Sequence, residues 1–336
     1  MKKPLAVSPV KSTHSVMLFN RIPPSLPQRG FSLVELMIAL AIGLLIMASV
    51  VTIYVNASRT SNTSAIESQM NEDGLIALNL IQQQIRMAGY SNFVDPTTAT
   101  ALNFTGAGVR GCSASAFYPN ASVAQMFTAI ADSDCAAAST YGDGIIVRYE
   151  ADTSNTVPTA GGAPTNCLMN GAYTAVNSAA ATYYIAENRY YVAGSNPSSL
   201  RCSAGSGDIT NAANLPQTQP ILDNVDQMVL SYGIAATNAA TDTQIVTYMK
   251  AADIDSTFAA DPVDKRWGRV ISVKVCLLMR SSDPMKDIAA TATYRDCNGT
   301  VQTLATPDGY LRRAFMTTAT LRNRLIMTSR TRANES

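Results

Sequence analysis

The sequence predicts an α+β protein, in which one long N-terminal α-helix packs on a β-rich head with long loops tied by disulfides. An uncharged apolar run near the N-terminus continues into a pattern of helical period, which indicates one long helix. Short β-branched and aromatic segments, separated by Gly, Pro, Asn and Ser, fill the rest of the 336 residues. All six cysteines lie in this second part.

The composition limits the chemistry that the chain can perform. Its single histidine, His14, lies in a basic N-terminal segment, so the rest of the chain contains no histidine. Catalytic triads and zinc sites that depend on imidazole are therefore excluded there. We expect a non-enzymatic protein without a cofactor. A membrane-anchored enzyme is the alternative, and it would need a catalytic group of residues that the sequence does not display.

The charge distribution argues against a nucleic-acid partner. Residues 1–30 contain five basic side chains and no acid, which leaves the remaining chain with a formal charge of about −4. No basic patch of the kind that contacts phosphates is therefore expected after residue 30. The five basic residues are Lys2, Lys3, Lys11, Arg21 and Arg29.

The apolar run at residues 31–55 is long enough to cross a membrane. About 20 of its residues, from Leu36 onward, carry no charge, and a helix of that length spans a bilayer. Because the basic flank precedes the run, the positive-inside rule predicts a cytoplasmic leader and a head exported across the inner membrane. An ordinary signal anchor or secretory signal peptide shares these features.

Two features distinguish this run from an ordinary signal peptide. Glu35 lies inside it, where an unpartnered carboxylate costs at least about 2.5 kcal/mol in lipid. No small-residue cleavage site follows the run, whereas Gly30 directly precedes it. Cleavage after Gly30 would remove the leader and keep the helix in the product.

Residues 29–40, RGFSLVELMIAL, resemble the processing signal of type IV prepilins and of type II secretion pseudopilins. The resemblance implies a pilin-like fold, cleavage by prepilin peptidase between Gly30 and Phe31, and N-methylation of Phe31. In a bundle of parallel helices, the new ammonium group of Phe31 can pair with Glu35 of a neighbouring subunit and so set the axial register. A Glu35 that only reaches the lipid headgroups is the alternative.

The helix is expected to continue beyond the membrane to residue 89. Apolar residues recur there at helical spacing and predict a face that packs on a sheet, and Gly89 is typical of a helix C-terminus. We therefore predict a leader at 1–30, a helix at 31–89 with its transmembrane part at 31–55, and a periplasmic head at 90–336. The residues of the stripe are Ile66, Met70, Ala77, Leu78, Ile81 and Ile85.

The head is predicted from short β-forming runs and from the turns between them. Asn298 and Gly299 mark one such turn. Candidate strands are residues 144–149, 182–186, 189–192, 228–232, 245–250, 270–279 and 314–321.

Several head segments resemble the PilW-type minor pilins, and more distantly the J-type minor pseudopilins of type II secretion. The resemblance implies a complex that primes and caps a type IV pilus, with other minor pilins and the major pilin as partners and a tip adhesin as a further candidate partner. The chain would reside in the inner membrane and then in the pilus at the cell surface, and membership of a secretion system is the alternative. The segments are MAGY (87–90), YYIAENRYYV (183–192), DNVDQMVLSYG (223–233), VISVKVCLLMRS (270–281) and RRAFMTTATLRNR (312–324).

An even number of cysteines in an exported head indicates disulfides, although six thiols allow 15 pairings. Pairing of nearest neighbours along the chain is favoured, and each bond would stabilise the head by roughly 3 kcal/mol. A metal site is the rival interpretation, and it is not expected without a CxxC pair. The favoured pairs are Cys112 with Cys135, Cys167 with Cys202, and Cys276 with Cys297.

Two further motifs are interpreted as structural. Gly106, Gly108 and Gly111 form a GxGxxG pattern, but no hydrophobic strand precedes it and a cysteine follows it, so we predict a surface loop instead of a dinucleotide site. An acidic segment around residues 253–264 could hold calcium, but its spacing fits no EF-hand loop, and a solvated turn is predicted. Trp267, beside basic residues, is interpreted as the entry to a strand. The acidic residues are Asp253, Asp255, Asp261 and Asp264.

Overall fold

The computed structural model describes residues 30–95, 97–98, 101–104, 106–117, 135–194, 197–209, 211, 214, 216–239, 242–285, 293–303 and 308–324. The predicted leader, as far as Arg29, lies outside the described residues. The chain divides into two compact units, Met1–Arg59 and Thr60–Ser336. Helix α1, Leu33–Met87, contributes residues to both units.

The described part of the second unit adds two short helices and fifteen strands to the end of α1. The helices are α2 (Ala251–Thr257) and α3 (Val263–Trp267). The strands are β1 (Val109–Cys112), β2 (Ser115–Phe117), β3 (Cys135–Ala138), β4 (Gly144–Ala151), β5 (Tyr173–Val176), β6 (Thr182–Ala193), β7 (Ser199–Ala204), β8 (Gly207–Asp208), β9 (Gln217–Asp223), β10 (Val225–Ile234), β11 (Thr247–Met249), β12 (Val270–Arg280), β13 (Thr293–Arg295), β14 (Val301–Thr303) and β15 (Arg312–Thr320).

Two larger sheets and two hairpins organise these strands. A seven-stranded sheet has the order β1-β4-β6-β5-β8, and β7 also pairs with β6 and with β9. A four-stranded antiparallel sheet has the order β11-β10-β12-β15. The hairpins are β2-β3 and β13-β14. The only parallel pair among these strands of the described residues is β5-β8.

The C-terminal part of α1 forms one hydrophobic core with both larger sheets. Its buried side chains recur every three or four residues, as the predicted stripe requires, and Ile81 and Ile85 are completely buried. Strand residues such as Val147 and Leu277 belong to the same cluster. Burying one such side chain contributes about 1.5–3 kcal/mol, so this stripe fixes the helix on the sheets.

The C-terminus of α1 is capped by residues from two distant parts of the sequence. Gly89 adopts a φ of +73°, a left-handed conformation that costs glycine little, and its N–H donates to the Arg148 carbonyl at 2.8 Å. The side-chain amide of Asn323 donates to the carbonyls of Arg86, Met87 and Ala88 at 3.1–3.3 Å. The Asn323 contacts satisfy carbonyl groups that a helix end leaves without partners.

Most predicted strands occur where the patterns placed them, with shifted ends. The two candidates at 182–186 and 189–192 form one continuous strand, β6, because the polar residues between them are buried and hydrogen-bonded in the sheet. The candidate at 245–250 shortens to β11, which pairs with the end of β10. The turn at Asn298 and Gly299 connects β13 to β14.

The prediction of a surface loop at the GxGxxG pattern is wrong for its second half, since Gly106 and Gly108 lie before the strand but Gly111 lies in it. Residues 109–112 form the buried strand β1, which pairs with β4. The glycines allow close packing, because a Cβ on Gly108 would lie 2.3 Å from the Gly89 nitrogen and a Cβ on Gly111 would lie 2.0 Å from the Tyr232 hydroxyl oxygen. At both positions any side chain would collide with these neighbouring atoms, so only glycine fits.

Candidate functional site

The predicted processing site lies immediately before the first turn of α1. Gly30 and Phe31 precede the helix, and the Phe31 side chain is 88% exposed. The peptide bond that is predicted to be cut is therefore outside the helical hydrogen-bond ladder.

Ser32 and Glu35 form a capping box at this helix end. The Ser32 hydroxyl oxygen accepts a hydrogen bond from the Val34 N–H at 3.3 Å, and Glu35 Oε2 accepts one from the Ser32 N–H at 3.2 Å. The first helical bond runs from the Leu36 N–H to the Ser32 carbonyl at 3.1 Å. Glu35 was predicted to be functional but Ser32 was not, although the S-x-x-E spacing is the signature of this motif.

The helix surface that follows is apolar and uncovered within the described residues. From Leu33 to Tyr54 its large hydrophobic side chains are all exposed. By length and composition α1 can cross a membrane, and none of its most apolar stretch is buried. A continuous apolar surface of this size marks a membrane or protein contact.

Three disulfides join the six cysteines of the head, and they are the nearest-neighbour pairs that sequence analysis favoured. Cys112–Cys135 links β1 to β3, Cys167–Cys202 links a loop to β7, and Cys276–Cys297 links β12 to the β13-β14 turn. The Cα atoms of the pairs are 5.5, 6.5 and 5.7 Å apart. The bonds therefore attach loops and a hairpin to the larger sheets.

The acidic segment is not the solvated turn that was predicted. Asp255 accepts a hydrogen bond from the Trp267 indole N–H at 2.9 Å and forms ion pairs with Arg266 at 3.3 Å and Arg110 at 3.9 Å. Asp261 pairs with Arg269 at 2.8 Å. These carboxylates thus balance cations of the head.

The remaining aspartates of this segment also have structural partners. Asp264 accepts a hydrogen bond from the Ala107 N–H at 3.2 Å, and Asp253 accepts one from the Lys250 N–H at 3.3 Å. Trp267 is the last residue of α3 and packs edge-on against Tyr232. The strand that it was predicted to enter, β12, begins at Val270. No group of three or more metal-ligating side chains occurs among the described residues.

A buried ionic cluster on β4 and β6 was missed by sequence analysis. Glu187 pairs with Arg148 at 2.5 Å and with Arg189 at 2.7 Å, and all three side chains are almost completely buried. Burial raises the pKa of the Glu187 carboxyl group, but the two guanidinium groups outweigh burial and lower it overall. The alternation of charged residues in the β6 sequence gave no sign that they would be buried.

Comparison with known proteins supports a relation to pilins. The family described as Type IV Pilus-assembly protein W (PilW) matches residues 182–323, and the prokaryotic N-terminal methylation motif matches residues 26–51. None of the curated proteins matches the chain. Among solved structures, a type IV-like pilin from Thermus thermophilus is 14% identical, with a TM-score of 0.37, over 76% of this chain and 97% of that chain.

The two sequence matches cover different parts of the molecule. The methylation motif includes the capping box and the first turns of α1, whereas the PilW match extends from β6 to Asn323, the residue that caps the other end of α1. The chain therefore carries a PilW-type region at residues 182–323 and a prokaryotic N-terminal methylation motif at residues 26–51.

Proposed function

We propose that this chain is a minor pilin, a structural subunit of the complex that primes and tips a type IV pilus. Prepilin peptidase cleaves it between Gly30 and Phe31 and Phe31 is N-methylated, which leaves a helix anchored in the inner membrane with the head, residues 90–336, in the periplasm. The observation that carries this proposal is the capping box of Ser32 and Glu35, which lies next to the cleavage site on an uncovered apolar helix.

The capping box gives Glu35 two functions. One carboxylate oxygen, Oε2, satisfies the helix's own Ser32 N–H, while Oε1 has no hydrogen bond within the described residues. A carboxylate has about four acceptor positions, so the ammonium group of Phe31 from a neighbouring subunit can bind without displacing the cap. In lipid this pairing offsets the desolvation cost of both charges and favours one axial register.

The apolar surface of α1 supplies the remaining contact with other pilin subunits. Gly43 lies within this surface, and a Cβ at that position would meet nothing within 4 Å, so another helix can approach there. Small residues permit such close packing of helices in lipid. The partners proposed for this surface are other minor pilins and the major pilin.

Mass spectrometry of the chain extracted from membranes tests the processing step. The expected N-terminus is N-methylated Phe31. An intact Met1, or a cut after residue 55, would overturn the proposal, because Glu35 would then lack the cation that processing creates.

Counting surface pili tests the assembly step. Deletion of the gene should reduce pili at least tenfold, and Glu35→Gln should do the same without preventing cleavage, because it removes the charge and keeps the side chain's shape. Glu67→Gln, on the same helix, is the matched control and should leave pili unchanged. Normal piliation in the deletion strain would exclude a priming function.

A further inference from the structure

A groove of about 500 Å³ lies beside the C-terminal part of α1, within the second compact unit. Leu80 and Met87 of the helix line one side, and Val157 and Met169 of the loop before β5 also line it. Val157 and Met169 are 63% and 60% exposed. The groove therefore has apolar walls that are open to solvent.

Several polar groups that remain available in this groove can donate hydrogen bonds. Gln84 Oε1 is already occupied, since it accepts hydrogen bonds from the Tyr149 hydroxyl at 3.2 Å and from the Asn188 amide at 2.8 Å, which leaves the Gln84 amide N–H groups. Tyr190 also lines the groove, and its completely buried hydroxyl has no hydrogen-bond partner in the described residues. Such a group is costly to leave unsatisfied.

The charge of the groove also favours an occupant that carries a hydrogen-bond acceptor. Arg86 lines the groove and is exposed, and none of the described residues that line the groove carries a carboxylate. Within the part of the chain that is described, the Arg86 guanidinium forms no ion pair. The groove thus fits an occupant that combines an aliphatic side chain with a carboxylate.

The groove is rigid before any occupant arrives. Cys167 is bonded to Cys202 on β7, the Thr165 hydroxyl donates to the Val157 carbonyl at 2.6 Å, and the Asn166 amide donates to the Gly205 carbonyl at 2.9 Å. A preformed wall lowers the entropy cost of binding.

We propose that this groove binds the N-terminal helix of a neighbouring pilin, through a segment that presents a carboxylate and an aliphatic side chain one turn apart. The pilin identity of the occupant rests on the proposed function. The chemical character of the occupant is inferred from the residues that line the groove. Helix α1 itself carries such a pair, a carboxylate at Glu72 and an aliphatic side chain at Leu75, which are three residues apart and exposed, Leu75 by 62%. A parallel helix shifted by about 12 Å would bring such a segment beside residues 80–87.

Photocrosslinking in the full chain, in membranes of piliated cells, tests this proposal. Val157 is replaced by benzoylphenylalanine, and the crosslinked peptides are sequenced by mass spectrometry. Val176 on β5, which is 65% exposed and does not line the groove, is the matched control position. The expected crosslink from position 157 falls in the N-terminal helix of a pilin, in a segment with a carboxylate one turn from an aliphatic residue, and position 176 does not give it.

Substitutions in the groove separate recognition from folding. Arg86→Gln should reduce the crosslink at least fivefold, whereas Arg86→Lys should keep it within twofold. Tyr190→Phe removes a hydroxyl that has no partner in the described structure, so it should weaken the crosslink without lowering the melting temperature. A crosslink that maps to a head loop or to lipid, or that is unchanged in Arg86→Gln, would overturn the proposal. Normal piliation in that case would leave the proposed function standing.

Discussion

At the residue scale, Ser32 controls how well Glu35 is positioned. Loss of an N-cap side chain costs about 1 kcal/mol and frays the first helical turn. Ser32→Ala should therefore lower incorporation of the chain into pili about fivefold, while Ser32→Thr, which keeps the hydroxyl, should restore it. Quantitative immunoblotting of sheared pili measures this ratio.

The N-terminal mass provides the control for Ser32. Cleavage after Gly30 and methylation of Phe31 should be intact in both variants, because the scissile bond precedes the capped turn. If Ser32→Ala and Ser32→Thr are incorporated equally, the capping box has no part in assembly.

Glu187 carries a buried charge that contributes to the stability of the head. The guanidinium groups of Arg148 and Arg189 hold its pKa below the ordinary value of 4.5, so its contribution is present above that pH and is lost as pH falls through the folded-state pKa. At neutral pH, Glu187→Gln should lower the free energy of unfolding by about 3–5 kcal/mol. The difference from the wild type should shrink as the pH falls below about 4.5.

Fluorescence of Trp267 in denaturant titrations measures this effect, because Trp267 is the only tryptophan and is buried in the head. Asp283→Asn, at an exposed carboxylate, is the matched control and should change stability little at any pH. A difference between wild type and Glu187→Gln that does not depend on pH would show that packing, not charge, holds the cluster.

At the element scale, the packing of α1 against the four-stranded sheet depends on Gly74. Alanine normally stabilises a helix interior by about 1 kcal/mol relative to glycine. Here a Cβ would lie 2.8–3.0 Å from three ring atoms of Phe315 on β15, so the clash outweighs the helical preference. Gly74→Ala should therefore destabilise the head, by about 1–3 kcal/mol.

The same tryptophan titration checks the Gly74 variant. Asn79→Ala, on an exposed position of the same helix, serves as the control and should be neutral or slightly stabilising. Greater stability in Gly74→Ala would mean that Phe315 moves aside and that β15 is not held against the helix at this point.

The sequence was informative where one physical pattern dominates. The apolar run at residues 31–55, with Glu35 inside it and Gly30 before it, predicted the start of α1. The helical spacing of the apolar residues predicted which face of α1 is buried. Long β-branched runs predicted β12 and β15. These elements depend on local periodicity, which can be detected in a single sequence.

The rest depended on long-range partners that no local pattern reveals. β1 was predicted to be a loop because no hydrophobic strand precedes its glycines and a cysteine follows them, yet the ion pair of Arg110 with Asp255 and the approach of Tyr232 bury it. The capping of α1 by Asn323 joins positions 235–237 residues apart. The groove was not predicted either, because it lies between a helix and a loop that meet only in the folded head.

At the scale of the whole molecule, the head should unfold as one unit. The C-terminal half of α1 shares a single hydrophobic cluster with both larger sheets, so neither sheet retains its core when the other is lost. The Cys167–Cys202 bond closes a loop of 35 residues at the seven-stranded sheet, and the Cys276–Cys297 bond closes a loop of 21 residues at the four-stranded sheet. Replacing either pair by serine should lower the free energy of unfolding of the entire head by about 3–4 kcal/mol.

The prediction concerns the shape of the transition as well as its position. In each double-serine variant, Trp267 fluorescence and β-sheet circular dichroism should change together at a lower denaturant concentration, because the shared core couples the two sheets. Two separate transitions in the Cys167 variant, with Trp267 still buried after the first, would show that the four-stranded sheet and α1 are stable without the seven-stranded sheet. The groove beside α1 would then belong to a part of the head that can open on its own, and a neighbouring subunit bound there would stabilise it.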